Sequence, residues 1–442
     1  MMLPFSLDHY RQRRAALAQL MVANSAALLP ANPEQIRSRD TEFPFRQDSD
    51  LLYLCGFGEP ESALMLVKDG DGNHQSFLLC RDKDPVAEVW QGRRLGPQAA
   101  VDALGLDGAW SWGERSERLR ELLNGRAAVY YAQGHMSGCD NLLFDTLAAL
   151  RGAPKKGWRA PPVIHDSRPL LADLRLIKSN EELAVMARAA AISAEAHNRA
   201  MAVCRPGQFE YQLEAELLHH FAGHGARFAA YNSIVGGGVN ACILHYTENS
   251  EALNDGELVL IDAGAELHGY AADITRTFPI NGRFSPAQRQ LYELVLSAQQ
   301  AAMLAIRPGG TIEAAGKAAI RVLTEGLVAL GILEGEAEAL IAGEAYKPYF
   351  MHGIGHWLGL DVHDVGDYKP GGQLRPLLPG MVLTIEPGLY IAPDAPVAEQ
   401  WRGIGIRIED NLVVTSGGHE VLTAAAVKGV AEIEALMAAA RP

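Results

Sequence analysis

The sequence predicts a two-domain α/β (α+β) protein: a mixed α/β domain over residues 1–172, then a domain over 173–442 in which helices cover an antiparallel sheet. Three observations predict it. At 442 residues the chain is too long for one core of ordinary domain size. Short apolar runs of strand character alternate with helical stretches through the first part. In the second part a punctuation signal recurs, because Arg205-Pro206-Gly207 and Arg307-Pro308-Gly309 each close a long helical stretch.

Taken in order, Arg11, Arg13 and Arg14 precede an Ala/Leu-rich stretch that runs to Pro30. Gln19, Asn24 and Ser25 cut it into short apolar runs, whereas an export signal needs roughly 7–15 apolar residues. Leu17, Leu20, Met21 and Leu28 fit one amphipathic helix better. Ala63–Val67, Phe77–Cys80 and Ala127–Tyr131 read as strands, and Asn141–Leu150 reads as a helix. The stretch from Arg151 to Pro169 holds Pro154, Pro161, Pro162 and Pro169 with Lys155, Lys156 and Gly157, which is linker chemistry. The domain boundary is therefore placed there.

Ser179 followed by Glu182 is a capping-box signal for a helix running to about Val203. Ser285 and Pro286 suit the N-cap and first position of another, running to Ile306. Aligning the two Arg-Pro-Gly stops matches Ala196 with Ala298, Ala200 with Ala302 and Met201 with Met303. Each stop precedes a further helical stretch and then a strand region bearing two carboxylates. The domain thus reads as a duplicated helix–helix–strand unit, against the competing reading of chance likeness between Ala-rich helices.

Composition narrows the partners. A formal net charge of −14 argues against nucleic acid and anionic membranes, which call for clustered Lys and Arg. No span is long and apolar enough to cross a membrane. The five cysteines are scattered without a C-x-x-C pair, so they indicate neither a disulfide framework nor a thiolate zinc site. They read as small apolar residues of a reducing, cytoplasmic compartment.

The carboxylates carry the chemistry. Glu257–Gly264 reads as a buried strand with an acid, Asp262, among Val, Leu and Ile. A second strand, Tyr270–Ile280, carries Asp273. With the hairpin centred between Leu267 and His268, the two aspartates face each other at ~4.5–5.5 Å between Cβ atoms. Such a pair in an apolar setting needs a proton or a cation between its members. A solvated strand-end acid is the competing reading of this hairpin.

Further on, Met381–Glu386 alternates so that Val382, Thr384 and Glu386 share a face. Gly403–Val414 places Gly405, Arg407 and Glu409 opposite Ile404, Ile406 and Ile408. Arg407 is then set to orient Glu409, unless the two form an ordinary surface pair.

Between these acids lies a glycine-rich stretch with His352, His356 and His363. His352 and His356 have the spacing of the zinc pattern H-E-x-x-H, but no Glu follows the first His, and Gly353 and Gly355 disfavour the helix that pattern requires. A strand or loop presenting the three separately is expected. Four carboxylates and one histidine, with no thiolate, suit Mn(II), Co(II) or similar ions. Two divalent ions would balance the four negative charges, activate water and polarise a carbonyl. From the residues alone, two-metal hydrolysis is the leading reading.

The set Asp262, Asp273, His356, Glu386 and Glu409, in that order and context, resembles the metal site of the pita-bread metallopeptidases. That group includes methionine aminopeptidase, prolidase and aminopeptidase P, and its members share an internal pseudo-twofold. Within it the chain resembles bacterial aminopeptidase P along essentially its whole length. The stretches FPFRQDSDLLYLCGF, EVWQGRRLG, ACILHYTEN, HGIGHWLGLDVHDVG, EPGLYI and RGIGIRIED carry the resemblance.

The resemblance implies hydrolysis releasing the first residue from peptides with proline second, using two divalent ions, Mn(II). Asp262 would chelate one ion, Asp273 and Glu409 would bridge both, and His356 and Glu386 would complete the second. Glu386 would also be the acid–base group, and His245 and His363 would contact the scissile carbonyl or the leaving nitrogen. His352 would line the proline side, with Tyr390, Arg407 and Trp90 as further substrate contacts. Trp90 would reach an active site across a subunit contact, which implies a homo-oligomer, a tetramer. Prolidase shares the ligands but acts on Xaa-Pro dipeptides, and the Trp357 that follows His356 favours aminopeptidase P. A catalytically inactive pita-bread peptide-binding module would have eroded ligands, and all five are present.

Overall fold

The first helix, Leu7–Leu20, starts where Ser6 accepts from the His9 backbone N–H and stops well short of Pro30. In the computed structural model, which describes residues 3–440, Leu28 is not on that helix. It lies on a strand, Ser25–Pro30, whose residues are all buried. The helix has ended by Met21, whose backbone is already extended, and Asn24, at a φ of 52°, turns the chain into the strand. A strand covered on both faces carries a continuous apolar run, which periodicity does not separate from a helix.

The chain divides into two units, Met1–Arg175 and Leu176–Pro442. In the first, Ser25–Pro30 sits inside a six-stranded mixed sheet. It pairs antiparallel with Ala63–Lys68 and parallel with Ala128–Tyr130. His74–Cys80 and Gly108–Ser111 extend one side, and Val163–His165, from the proline-rich stretch, closes the other. The helix Pro85–Gln91 has no buried residue, and Trp90 on it is 85% exposed.

The second unit is built from two similar halves. Ser179 and Glu182 form a reciprocal capping box on the helix Asn180–Val203, and Ser285 and Gln288 do the same for Pro286–Leu304. That second helix ends just before the expected Ile306. Each is followed by another helix, Glu210–Gly223 and Ile312–Ala329. The matched residues Ala196, Ala200, Ala298 and Ala302 are fully buried in the common core.

So are the matched pair His197 and Gln299, and both hold strands behind the carboxylates. His197 Nε2 lies 2.9 Å from the Ala263 carbonyl oxygen. Gln299 Nε2 donates to the Ile385 and Ile408 carbonyls at 3.3 and 3.0 Å.

The strands are antiparallel throughout. Leu258–Asp262 runs between Ile234–Gly237 and Thr275–Pro279, and Asp410–Thr415 runs between Val382–Ile385 and Gly418–Val421. Gly388–Ile391 pairs with Ile404–Arg407. The expected single strand Gly403–Val414 is therefore two, interrupted at Ile408-Glu409, where the chain passes from one partner strand to another. Among the described residues no helix is long and apolar enough to cross a membrane, and all five cysteines are free thiols.

Candidate metal centre

The hairpin that carries the first two acids has a different register from the expected one. Its loop is His268-Gly269, with φ values of 52° and 88°, and Leu267 pairs with Tyr270. Two consecutive positive φ angles are what a tight primed turn requires, and glycine supplies the second freely. The centre consequently moves one residue along, and Asp262 faces Thr275 rather than Asp273. Asp273 becomes the diagonal neighbour on the same face.

Tyr231 spans the gap, its hydroxyl lying 2.6 Å from Asp262 Oδ1 and 2.5 Å from Asp273 Oδ1. Nothing in the sequence singled this tyrosine out. It stands outside the periodic segments, and only the fold brings it to the acids.

The two halves meet at the acids. Asn411 Oδ1 accepts from the Asp273 backbone N–H at 3.0 Å, and its amide donates back to the Asp273 carbonyl. Glu409 N–H donates to the Thr275 carbonyl at 3.0 Å, and Thr275 Oγ1 donates to Glu409 Oε2 at 2.7 Å.

Arg407, fully enclosed, does not contact Glu409 as expected. Its Nη2 donates to Asp262 Oδ2 at 2.6 Å, its Nε to Thr275 Oγ1 at 3.0 Å and its Nη1 to Tyr390 Oη at 3.1 Å. Across a twisted face the guanidinium reaches the next strand more readily than a residue two places along its own. The Glu409 carboxylate is oriented through Thr275 Oγ1, and its backbone carbonyl accepts from Arg276 Nη1 at 2.6 Å.

The glycine-rich stretch forms no helix and, as expected, presents its histidines one at a time. Gly355 cannot be replaced, since a Cβ there would lie 2.0 Å from the Thr384 carbonyl oxygen. That approach holds the loop against the strand Val382–Ile385. The His356 backbone N–H then donates to Thr384 Oγ1 at 3.0 Å. His356 Nδ1 lies 2.9 Å from the Trp357 carbonyl oxygen, so it carries the ring proton.

The His356 Nε2 lone pair is left facing Asp273 Oδ2 at 3.3 Å and Glu386 Oε1 at 3.7 Å. His363 packs on His356 with ring centroids 4.2 Å apart. His352 Nε2 lies 2.8 Å from Tyr390 Oη, which links it through Arg407 to Asp262.

A cavity of about 540 Å³ has Asp262, Asp273, Glu386, Glu409, His356, His245, His352, His363, Arg407 and Tyr231 in its wall. Tyr390 stands behind this wall, and Trp90 belongs to the other unit.

The charges in this cavity do not balance by themselves. One phenol proton cannot serve two carboxylate oxygens, and a ring lone pair pointed at two carboxylates is repelled unless a proton or cation intervenes. Burial pushes Asp262 and Glu409 up, Glu409 far up with the Asp273, Glu386 and Asp262 charges adding to it. Burial also drives Glu386 up to about 7 against the pull of His356 and Arg407.

For Asp273 burial is outweighed by its hydrogen bond to His356 and by that ring's charge, and the carboxyl is lowered. His356 is correspondingly raised to about 9, the Asp273 bond and charge overcoming burial. One potential ligand atom from each of Asp273, His356 and Glu409 lies within 4.8 Å of the others. Oxygen donors with one imidazole and no thiolate fit hard or intermediate divalent ions, and positive charge is what the site lacks.

The chain is similar to known metallopeptidases along its length. Residues 184–416 match metallopeptidase family M24, and residues 10–130 match the N-terminal domain of aminopeptidase P. The chain is 52% identical to an Xaa-Pro aminopeptidase of Escherichia coli, over 99% of both lengths. It is 47% identical to one of Haemophilus influenzae, over 97% of both. It superposes with a TM-score of 0.97 on proline aminopeptidase P II from Yersinia pestis, at 54% identity over 98% of this chain and 100% of that one. The TM-score is also 0.97 on zinc-substituted Escherichia coli aminopeptidase P in complex with product, at 53% identity over 99% of both chains.

Proposed function

The chain belongs to metallopeptidase family M24, and from that premise we propose how it works as an Xaa-Pro aminopeptidase, a metal-dependent hydrolase releasing the first residue of peptides with proline second. The observation that supports this most is the meeting of Asp273, His356 and Glu409 in one acidic cavity whose charges require cations. Asp262, Asp273, His356, Glu386 and Glu409 would hold two divalent ions, Mn(II) by the hardness of the donor set. Ions held there supply Lewis acidity to the scissile carbonyl and lower the pKa of water.

The remaining steps fall to the chain's own residues. A bond to proline is a tertiary amide without an N–H, so its nitrogen must receive a proton as it leaves. Glu386 takes a proton from the attacking water as the oxygen adds to the carbonyl carbon. It returns that proton to the proline nitrogen as the C–N bond breaks. His245 and His363 contact the carbonyl oxygen and the leaving nitrogen. His352, kept neutral by burial and by the Arg407 charge at a pKa of about 4, lines the proline side with Tyr390 behind it. Arg407 acts by holding Asp262 and Tyr390 in place.

The N-terminal domain, 1–172, precedes the catalytic domain, 173–442, and Trp90 on its exposed helix would act in a second copy of the chain, within a cytoplasmic homotetramer. The discriminating assay compares a proline dipeptide with a matched tripeptide. Release of the first residue from the tripeptide at the higher kcat/KM is expected. Cleavage confined to the dipeptide would mean prolidase activity, and no cleavage of either would mean a binding module.

A further inference from the structure

Away from the acidic cavity, a second group of metal-ligating side chains converges where the helices Asn180–Val203 and Glu210–Gly223 pack together. Glu195 comes from the first, His220 from the last turn of the second and His224 from its C-cap. One potential ligand atom from each lies within 4.8 Å of the other two. His220 Nε2 stands 3.4 Å from Glu195 Oε2, is sealed from solvent and makes no hydrogen bond. His224 stacks on His220 with centroids 4.0 Å apart and planes 29° apart. His224 Nδ1 lies 2.8 Å from the His220 carbonyl oxygen. That nitrogen therefore carries the proton, and Nε2 keeps a lone pair, the arrangement a backbone carbonyl imposes on ligating imidazoles.

We propose that Glu195, His220 and His224 bind one divalent ion of the Zn(II), Ni(II) or Cu(II) class, clipping the end of one helix to the middle of its neighbour. Two imidazoles a helical turn apart with one carboxylate favour borderline ions over the hard ions that suit the acidic cavity. Glu195 and His224 are exposed, so water can fill the remaining positions. Arg199, whose charge is felt at His220, is already engaged, its Nε donating to Glu216 at 2.7 Å. Burial, and then His224, hold His220 below its ordinary pKa, so the ring is an unprotonated ligand at neutral pH. None of the three lines the acidic cavity, and the ion's effect falls on stability rather than on the reaction.

The test is equilibrium dialysis of the full chain against Zn(II), read by elemental analysis, for the wild type, His224→Ala and Glu195→Gln. Ions taken by the catalytic centre cancel between variants. The wild type should hold one more zinc per chain than His224→Ala, and Glu195→Gln should bind that ion at least ~10-fold more weakly. Zinc should raise the wild-type Tm by more than that of His224→Ala, with Mn(II)-loaded activity equal in all three. Melting in chelator checks that the variants fold. Equal zinc counts and equal zinc-induced shifts in wild type and His224→Ala would overturn the proposal.

Discussion

Glu386 retains more solvent contact than its three partner carboxylates, with 17% of its side chain exposed, yet burial carries it up to about 7. Cations in the cavity would draw that value back down, so Glu386 meets the attacking water as a carboxylate able to take its proton. Glu386→Gln keeps the shape and removes the exchange, so kcat should fall by at least ~10²-fold, with one ion bound more weakly. His363→Ala should lower kcat with metal content nearly unchanged, since that ring touches His356 rather than the carboxylates. Steady-state kinetics with elemental analysis separates the two, and metal loss from His363→Ala would make it a ligand.

At this scale the acids and histidines were legible because charged residues in apolar strands are anomalous. The roles of Arg407 and Tyr231 were not, because each acts on a residue distant in sequence. Arg407 reaches Asp262, and Tyr231 reaches Asp262 and Asp273.

Among the elements, the helices of the second unit were legible from their ends. Ser179 with Glu182, and Ser285 with Pro286, fixed the starts, and the Arg-Pro-Gly stops fixed the finishes to within two residues. The hairpin register was not, since period-two alternation says which face a residue takes and leaves the turn to decide its partner. The buried strand Ser25–Pro30 was misread for the complementary reason, having no polar face to set a period.

The repeat itself predicts a stability effect. His197 is fully buried against Ala263, and burial holds its ring down to a pKa of about 4. Between that value and the ordinary 6.5 the unfolded chain takes up a proton that the folded chain refuses. Stability should therefore be level above pH 6.5 and fall as pH drops through this window, by up to roughly 3 kcal/mol from this group. Urea unfolding at several pH values should show a shallower acid loss for His197→Gln than for wild type, whatever its stability at neutral pH. Parallel curves would remove the assignment.

For the molecule as a whole, Trp90 is the residue least explained by a single chain. An indole 85% exposed on a helix with Val86 and Val89, 73% and 78% exposed, gains nothing from folding. If it serves a neighbouring copy's cleft, Trp90→Ala should lower kcat/KM more on a pentapeptide with proline second than on the tripeptide. The wild type should scatter light as a tetramer. Equal losses on both peptides, or a fully active monomer, would leave Trp90 without that role.

Five residues drawn from both halves of the second unit are proposed to hold two ions that make the cavity hydrolytic. Metal-free enzyme titrated with Mn(II), assayed by release of the first residue from a tripeptide with proline second, tests it most directly. Activity should climb from near zero to a plateau at two ions per chain, and the matching peptide with alanine second should stay intact. Full activity in the metal-free protein, or equal cleavage of the alanine peptide, would contradict the account.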